Sequence, residues 1–210
     1  MFNKIKIFTG PNTYQFDQLY FEEANEIIVG VDSGLAYLMD RNMNVDFAFG
    51  DFDSLDEKYI TNLETLNATL VRLNKEKDMT DLAFAIDYLY QNIDYESIEI
   101  YGGIGGRVDH FYANINLLKR YDLKFIDNHN KLYVLKKGFH HIDNTHHYIS
   151  LFALEDVYDL SIQGFRYELD HYYLGVADSI GVSNEGSGDI TFSKGRLLVM
   201  ETDETMLHSS

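Results

Sequence analysis

The sequence predicts an α/β domain, an open and mostly parallel sheet with helices on both faces, followed by a C-terminal antiparallel β-sandwich. Two observations carry this expectation. As far as Ile126, apolar strand-like runs alternate with amphipathic segments, the signature of strand-helix-strand units. Beyond Lys131 the runs become short and alternating, rich in tyrosine and β-branched residues, with no helical period.

In the first part the strand candidates are residues 4–8, 26–31, 45–49, 69–73, 97–101 and 123–126. Between the fourth and fifth, Leu82, Ala85, Ile86 and Leu89 recur at helical spacing, with Asp78 as the expected N-cap and Asp81 suited to the positive helix end. Between the fifth and sixth, Val108, Phe111, Tyr112, Ile115 and Leu118 do the same. These elements form a Rossmann-like domain over residues 1–127. The polar stretch Asp127-Asn128-His129-Asn130 is the expected boundary. In the sandwich, over 131–210, the strand candidates are 132–135, 148–154, 160–162, 167–169, 172–176, 189–192 and 196–201, punctuated by glycines such as Gly138, Gly164, Gly186 and Gly195. The tail beyond Thr202 is expected to fray.

Composition narrows the function classes. An apolar fraction of 45% supports a packed core, and the absence of cysteine excludes disulfides, thiolate chemistry and cysteine-based zinc sites. The N-terminal residues form a strand pattern rather than a signal peptide, and no apolar run approaches a membrane span, so a soluble cytoplasmic protein is expected. A formal net charge of −17 argues against nucleic acid as a partner. It leaves ATP open, because a few cationic side chains and a magnesium ion hold a polyphosphate locally.

In an open parallel sheet, ligands bind outside the carboxyl ends of the strands. Asp32 ends the second candidate strand. Gly50-Asp51-Phe52-Asp53-Ser54 ends the third, and its paired carboxylates can share a hard divalent cation; the plain alternative is a turn with Ser54 capping a helix near Glu57. An enzyme phosphorylated on aspartate would place such a pair after the first strand, which here runs into Phe8-Thr9-Gly10. Lys77, Asp78, Thr80 and Asp81 follow the fourth strand, where Asp81 serves either a metal or a helix end. Gly102-Gly103-Ile104-Gly105-Gly106-Arg107 follows the fifth. Its glycines let backbone N–H groups approach an anion, and Arg107 offers a bidentate fork. The stretch lacks the Gly-Lys-Ser/Thr of a P-loop, and Val108 stands where a dinucleotide fingerprint needs its third glycine. Asp109 and His110 fall in the next helical turn, where dipole complementation and a solvated surface are the structural alternatives. His140, His141, His146 and His147 lie in a hairpin-like segment whose alternation separates neighbours, so they are expected to be surface residues rather than a metal cluster.

Taken in order, Val31-Asp32-Ser33-Gly34, the Asp51/Asp53 pair, Asp78-x-Thr80-Asp81, the Gly102–His110 segment and Ser183-Asn184-Glu185 resemble thiamine pyrophosphokinases over nearly the whole chain. That resemblance implies Mg2+-dependent transfer of diphosphate from ATP to thiamine by a homodimer whose sites lie between subunits. It implies that Asp51, Asp53 and Asp81 hold magnesium, that Lys77, Thr80, Arg107 and the loop with Gly103, Gly105 and Gly106 lie along the triphosphate, and that Asp32 and His110 lie near the nucleotide. Asp109 would face the reacting hydroxyl, while Ser183 and Asn184 would contact thiamine. The first domain would then be catalytic and the second would bind thiamine and dimerise. Members of the family often stack thiamine on tryptophan; this chain has none, leaving a tyrosine or phenylalanine of the sandwich, such as Tyr172 or Tyr173. Other magnesium-dependent diphosphotransferases, nucleotide hydrolases and a non-catalytic nucleotide or thiamine-binding module are the alternatives.

Overall fold

The structure, a computed structural model, describes residues 3–52, 59, 61, 68–73 and 78–204. It divides into two compact units, Met1–Asn128 and His129–Ser210.

The first unit is built on six parallel strands: β1 (Asn3–Phe8), β2 (Glu26–Val31), β3 (Phe47–Gly50), β4 (Thr69–Arg72), β5 (Tyr95–Tyr101) and β6 (Lys124–Ile126). Their spatial order is β4-β3-β2-β1-β5-β6. The chain winds outward from β1 to β4, then returns to β5 on the other side of β1. This reversal is a topological switch point, where an open α/β sheet forms its ligand crevice. The helices are α1 (Phe16–Leu19), α2 (Ser33–Met39), α3 (Asp81–Asn92) and α4 (Val108–Leu117).

Successive strand residues point to opposite faces. Ala48 joins Phe8, Ile28, Phe16, Leu35 and Leu38 in a buried cluster on the face of α1 and α2. Its neighbour Phe49 packs against Phe84 and Tyr88 of α3, with centroids 6.5 and 5.5 Å away. Both faces are therefore covered, as the near-continuous apolar strands require.

Two helix details differ from expectation. Helix α3 starts at Asp81, and its N-cap is Thr80, whose Oγ1 accepts from the Ala83 N–H at 3.2 Å. Asp78 lies ahead of the first helical turn. Leu82, Ala85, Ile86 and Leu89 are buried as expected. In α4 the apolar stripe is only partly inside: Leu118 just beyond it is buried and Phe111 and Ile115 are half-buried, but Val108 and Tyr112 are 80% and 66% exposed, and the residue buried within the helix is Asn114.

Lys6, in the middle of β1, is the largest departure from simple patterning. It is 2% exposed yet fully partnered, donating to the Phe21 carbonyl at 2.7 Å and pairing with Glu23 and Glu26 at 3.1 and 3.0 Å. The Tyr20 ring lies 4.7 Å away. Removing one side of a buried pair strands the other. Lys6→Ala is expected to cost about 3 kcal/mol in urea denaturation, with Lys6→Met costing less because it fills the same volume.

The second unit is antiparallel, with β7 (Asn130–Ile142), β8 (Tyr148–Gln163), β9 (Leu169–Leu174) and β10 (Gly188–Thr202) in the order β7-β10-β8-β9. The expected short strands merge into long ones interrupted by bulges. In β8 the buried residues run Ile149, Leu151, Ala153, Val157, then slip phase to Leu160 and Ile162 across Asp159, whose φ is 55°. In β10 they slip from Ile190 and Phe192 to Leu197 and Val199, where the register shifts between Phe192 and Arg196. All these side chains enter one apolar core.

Candidate active site

A cleft of about 610 Å³ opens at the carboxyl ends of the parallel strands, within the size range of small-ligand sites. Each strand delivers its share. Thr9, Gly10 and Pro11 follow β1; Asp32 and Ser33 follow β2; Asp51 follows β3; Thr80 and Asp81 follow β4; Gly103, Gly105, Gly106, Arg107, His110 and Asn114 follow β5. Of the residues singled out from sequence, the structure places Asp32, Asp51, Thr80, Asp81, Gly103, Gly105, Gly106, Arg107 and His110 around this one cleft. Asp53, Ser54, Glu57 and Lys77 lie outside the described residues.

Local chain geometry explains this convergence. Asp32 leaves β2 with φ 50°, its N–H donating to Phe49 O at 3.0 Å, which ties it to β3. A Cβ on Gly50 would come within 3.1 Å of Asp32 Oδ1, so the β3 terminus passes directly beneath that carboxylate. Gly34 lets α2 start against β1, since a Cβ there would meet Phe8 O at 2.0 Å.

The glycine loop divides in two. Gly102, Gly103, Gly105 and Gly106 all have positive φ, from 67 to 90°. A Cβ on Gly102 would overlap Thr9 O at 2.1 Å, so that glycine serves close packing, whereas one on Gly105 would meet nothing within 4 Å. Gly105 and Gly106 also line the cleft, and backbone N–H groups ahead of a helix favour an anion.

Arg107 and Asp109 form an exposed two-point pair: Nη2 donates to Oδ2 at 2.6 Å and Nε to Oδ1 at 3.2 Å. Arg107 lines the cleft and Asp109 is not among its lining residues. The guanidinium holds the Asp109 carboxyl below the usual carboxylate range. Among the described residues no three His, Asp or Glu side chains converge as a metal cluster. Of the histidines considered as a cluster, His140 meets Lys136 O, His141 meets Asp189, His146 lies 3.5 Å from Glu201, and His147 packs edge-on to Tyr148 at 4.3 Å.

In the second unit, residues 181–184 lie along β8. Leu151 N–H donates to Gly181 O, Ile149 and Asn184 exchange both backbone bonds, and Ser183 N–H donates to Ser150 Oγ. Asn184 is 6% exposed, and its amide clamps Tyr167, accepting from its N–H at 2.9 Å and donating to its carbonyl at 2.7 Å. Tyr167 lies in the loop before β9 rather than in a strand, and its ring is exposed beside Arg166. Tyr172 is partly buried against the core, and Tyr173 packs edge-on to Tyr158 at 5.2 Å.

Two family models match the chain: "Thiamin pyrophosphokinase, catalytic domain" over residues 18–134 and "Thiamin pyrophosphokinase, vitamin B1 binding domain" over 139–198. A thiamine pyrophosphokinase of Bacillus subtilis is 31% identical over 206 residues, covering 93% of this chain and 96% of its own. The chain belongs to the thiamin pyrophosphokinase family. Among solved structures, thiamine pyrophosphokinase from Bacillus subtilis superposes with a TM-score of 0.82 at 28% identity, covering 97% of this chain and all of that one (100%). The yeast enzyme shares the fold at a TM-score of 0.77 and 14% identity, over 96% of this chain and 86% of its own.

Within this thiamin pyrophosphokinase family member, the sequence marks Ser33 only as part of the Val31–Gly34 motif and gives no role to Thr9, Gly10, Pro11, Asn114 and Tyr167. Position after a predicted strand was the available signal for Thr9, Gly10 and Pro11, the same signal that marked Asp51. Asn114 and Tyr167 gave none, because their significance lies in contacts with Gly103 and Asn184.

Proposed function

We propose that this chain transfers the diphosphate of ATP to the hydroxyl of thiamine, giving thiamine diphosphate and AMP. The supporting observation is the cleft at the β1/β5 switch point, where carboxylates, an arginine and open backbone N–H groups face one another in a chain of this family. The thiamine oxygen attacks the β-phosphorus, the bond from that phosphorus to the bridging α,β oxygen breaks, and AMP leaves with the electron pair while the hydroxyl proton is released. Such transfer depends mainly on positioning and charge stabilisation.

The Gly105–Gly106 half of the loop and Arg107 would bind phosphate oxygens, together with Lys77. Thr80 Oγ1 already accepts from the helix, so its own proton is the group it offers a phosphate. The hard carboxylate oxygens of Asp51 and Asp81, with Asp53, suit a magnesium ion, and Asp32 stands beside them or toward the nucleotide. When bound, the ion neutralises phosphate charge. His110 faces the nucleotide. Asp109, kept ionised by Arg107, orients the thiamine hydroxyl more than it removes its proton, since a carboxylate of lowered pKa is a weak base.

For thiamine we propose Ser183 and Asn184, with Tyr167 as the aromatic face in place of tryptophan. Asn184, the neighbour of Ser183 in sequence, fixes the Tyr167 backbone, and the Tyr167 ring is exposed. Tyr167→Ala is expected to raise the KM for thiamine about tenfold and leave that for ATP unchanged; equal effects on both would exclude this role. We further propose a homodimer with sites shared between subunits, testable by light scattering, working in the cytoplasm, where ATP is supplied. No described helix is long and apolar enough to cross a membrane.

The deciding experiment incubates the protein with ATP, magnesium and thiamine and resolves the products. Thiamine-dependent AMP with thiamine diphosphate supports the proposal. ADP would indicate single phosphoryl transfer, thiamine-independent ATP loss another acceptor, and binding without turnover a non-catalytic module.

A further inference from the structure

We infer that Asn114 is a positioning residue for the glycine loop and, through it, for the triphosphate; the inference rests on the nucleotide reading of the cleft above. Helix α4 leaves Val108 and Tyr112 exposed and turns a polar side chain inward, with Asn114 only 8% exposed. Burying an amide while leaving apolar residues in water is unfavourable unless the amide satisfies something. Here Nδ2 donates to Gly103 O at 2.8 Å. A carbonyl partner requires the N–H₂ end of the amide, which fixes the orientation of the group.

Gly103 is gripped from its other side as well, its N–H donating to Gly10 O at 3.2 Å. One residue of the loop is thus held by α4 through Asn114 and by the segment leaving β1. There is little free space around it: a Cβ on Gly103 would stand 3.2 Å from Asn114 Nδ2 and 3.0 Å from the Phe125 ring. Gly103, Gly10 and Asn114 all border the cleft.

The consequence concerns which backbone atoms meet the anion. With its carbonyl engaged by Asn114, Gly103 directs that oxygen at the helix. A carbonyl turned toward the cleft would repel phosphate oxygens, and a buried carbonyl that loses its donor is driven to find another, water in the cleft being the nearest. Asn114 thereby keeps acceptors away from the anion and leaves the donors of Gly105 and Gly106 facing it. The dependence falls on ATP and spares thiamine.

The test compares steady-state constants of wild type, Asn114→Leu, Asn114→Ser and Leu118→Ala, with melting temperatures. Leu118 is fully buried at the end of the same helix and borders no part of the cleft, so L118A reports destabilisation alone. Asn114→Leu is expected to raise the KM for ATP about tenfold, with the KM for thiamine within twofold of wild type. Asn114→Ser, whose smaller side chain admits a water donor to Gly103, should fall between. L118A should lower the melting temperature with both KM values unchanged. Asn114→Ser carries the same reading if the leucine variant does not fold. An ATP KM within twofold of wild type in the folded variants, or equal shifts for both substrates, overturns the inference. Calorimetric titration of magnesium-ATP separates its failure from that of the reaction assignment: a wild type that binds ATP without making thiamine diphosphate overturns the assignment, and unaltered ATP affinity in the variants overturns the role of Asn114.

Discussion

An Asp51→Asn variant will lose about three orders of magnitude in turnover, the scale of removing a group that organises charge in a transition state, and will keep the wild-type melting transition. The geometry argues for both halves. Asp51 is the residue immediately beyond β3, and it borders the cleft with Asp32 and Asp81 from the neighbouring connections. Asparagine preserves volume and one acceptor but removes the charge that a hard cation selects. The fold should tolerate the change because the β3 end is held by backbone bonds, Asp32 N–H to Phe49 O and Leu73 N–H to Gly50 O, both at 3.0 Å. A magnesium titration identifies the mechanism. A metal ligand predicts that the variant needs far more magnesium for half-maximal rate, whereas wild-type turnover with unchanged magnesium dependence would remove Asp51 from the metal site. Loss of folding would assign it to structure.

The positions of the site residues were legible because they follow strand ends, and strand ends are marked by where apolar β-branched runs give way to glycine and aspartate. Asp32, Asp51, Asp81 and the glycine loop all follow predicted strands, and all of them border the cleft at the β1/β5 switch point. It erred where burial is decided by a partner distant in sequence. The stripe of Val108, Phe111, Tyr112, Ile115 and Leu118 is a valid helical pattern, and Leu118 is buried, but Val108 and Tyr112 are exposed and Asn114 is buried, bonded to Gly103 O. Likewise Thr80 and Asp78 are both competent caps, and the first helical bond selects Thr80. The sequence pattern divides the long strands of the second unit because their bulges reverse the alternation at Asp159 and after Phe192, which imitates a strand boundary. Lys6 in a central strand is intelligible only with Glu23, Glu26 and the Phe21 carbonyl in place.

Arg107→Met should lower turnover about a hundredfold and also change how the reaction responds to pH. The guanidinium lines the cleft while gripping Asp109 at two points, so a phosphate bound there would compete with Asp109 for one fork. Both side chains are largely exposed, at 72% and 65%, so their pairing contributes little to stability; its effect is on ionisation. Asp109 is held below the ordinary carboxylate range chiefly by its hydrogen bond to Arg107, with the His110 N–H as a further donor. The sign follows directly. With the pair intact, Asp109 stays ionised down through mildly acidic pH, and its charge is lost only as pH falls through the lowered value. Without Arg107, Asp109 titrates nearer the ordinary range. If the ionised form orients the thiamine hydroxyl, the acidic limb of kcat/KM must move to higher pH in Arg107→Met. Arg107→Lys, which keeps the charge but not the fork, should move it less. An acidic limb that stays in place in both variants would show that Asp109 carries no part of the reaction, and the hundredfold loss would then belong to phosphate binding alone.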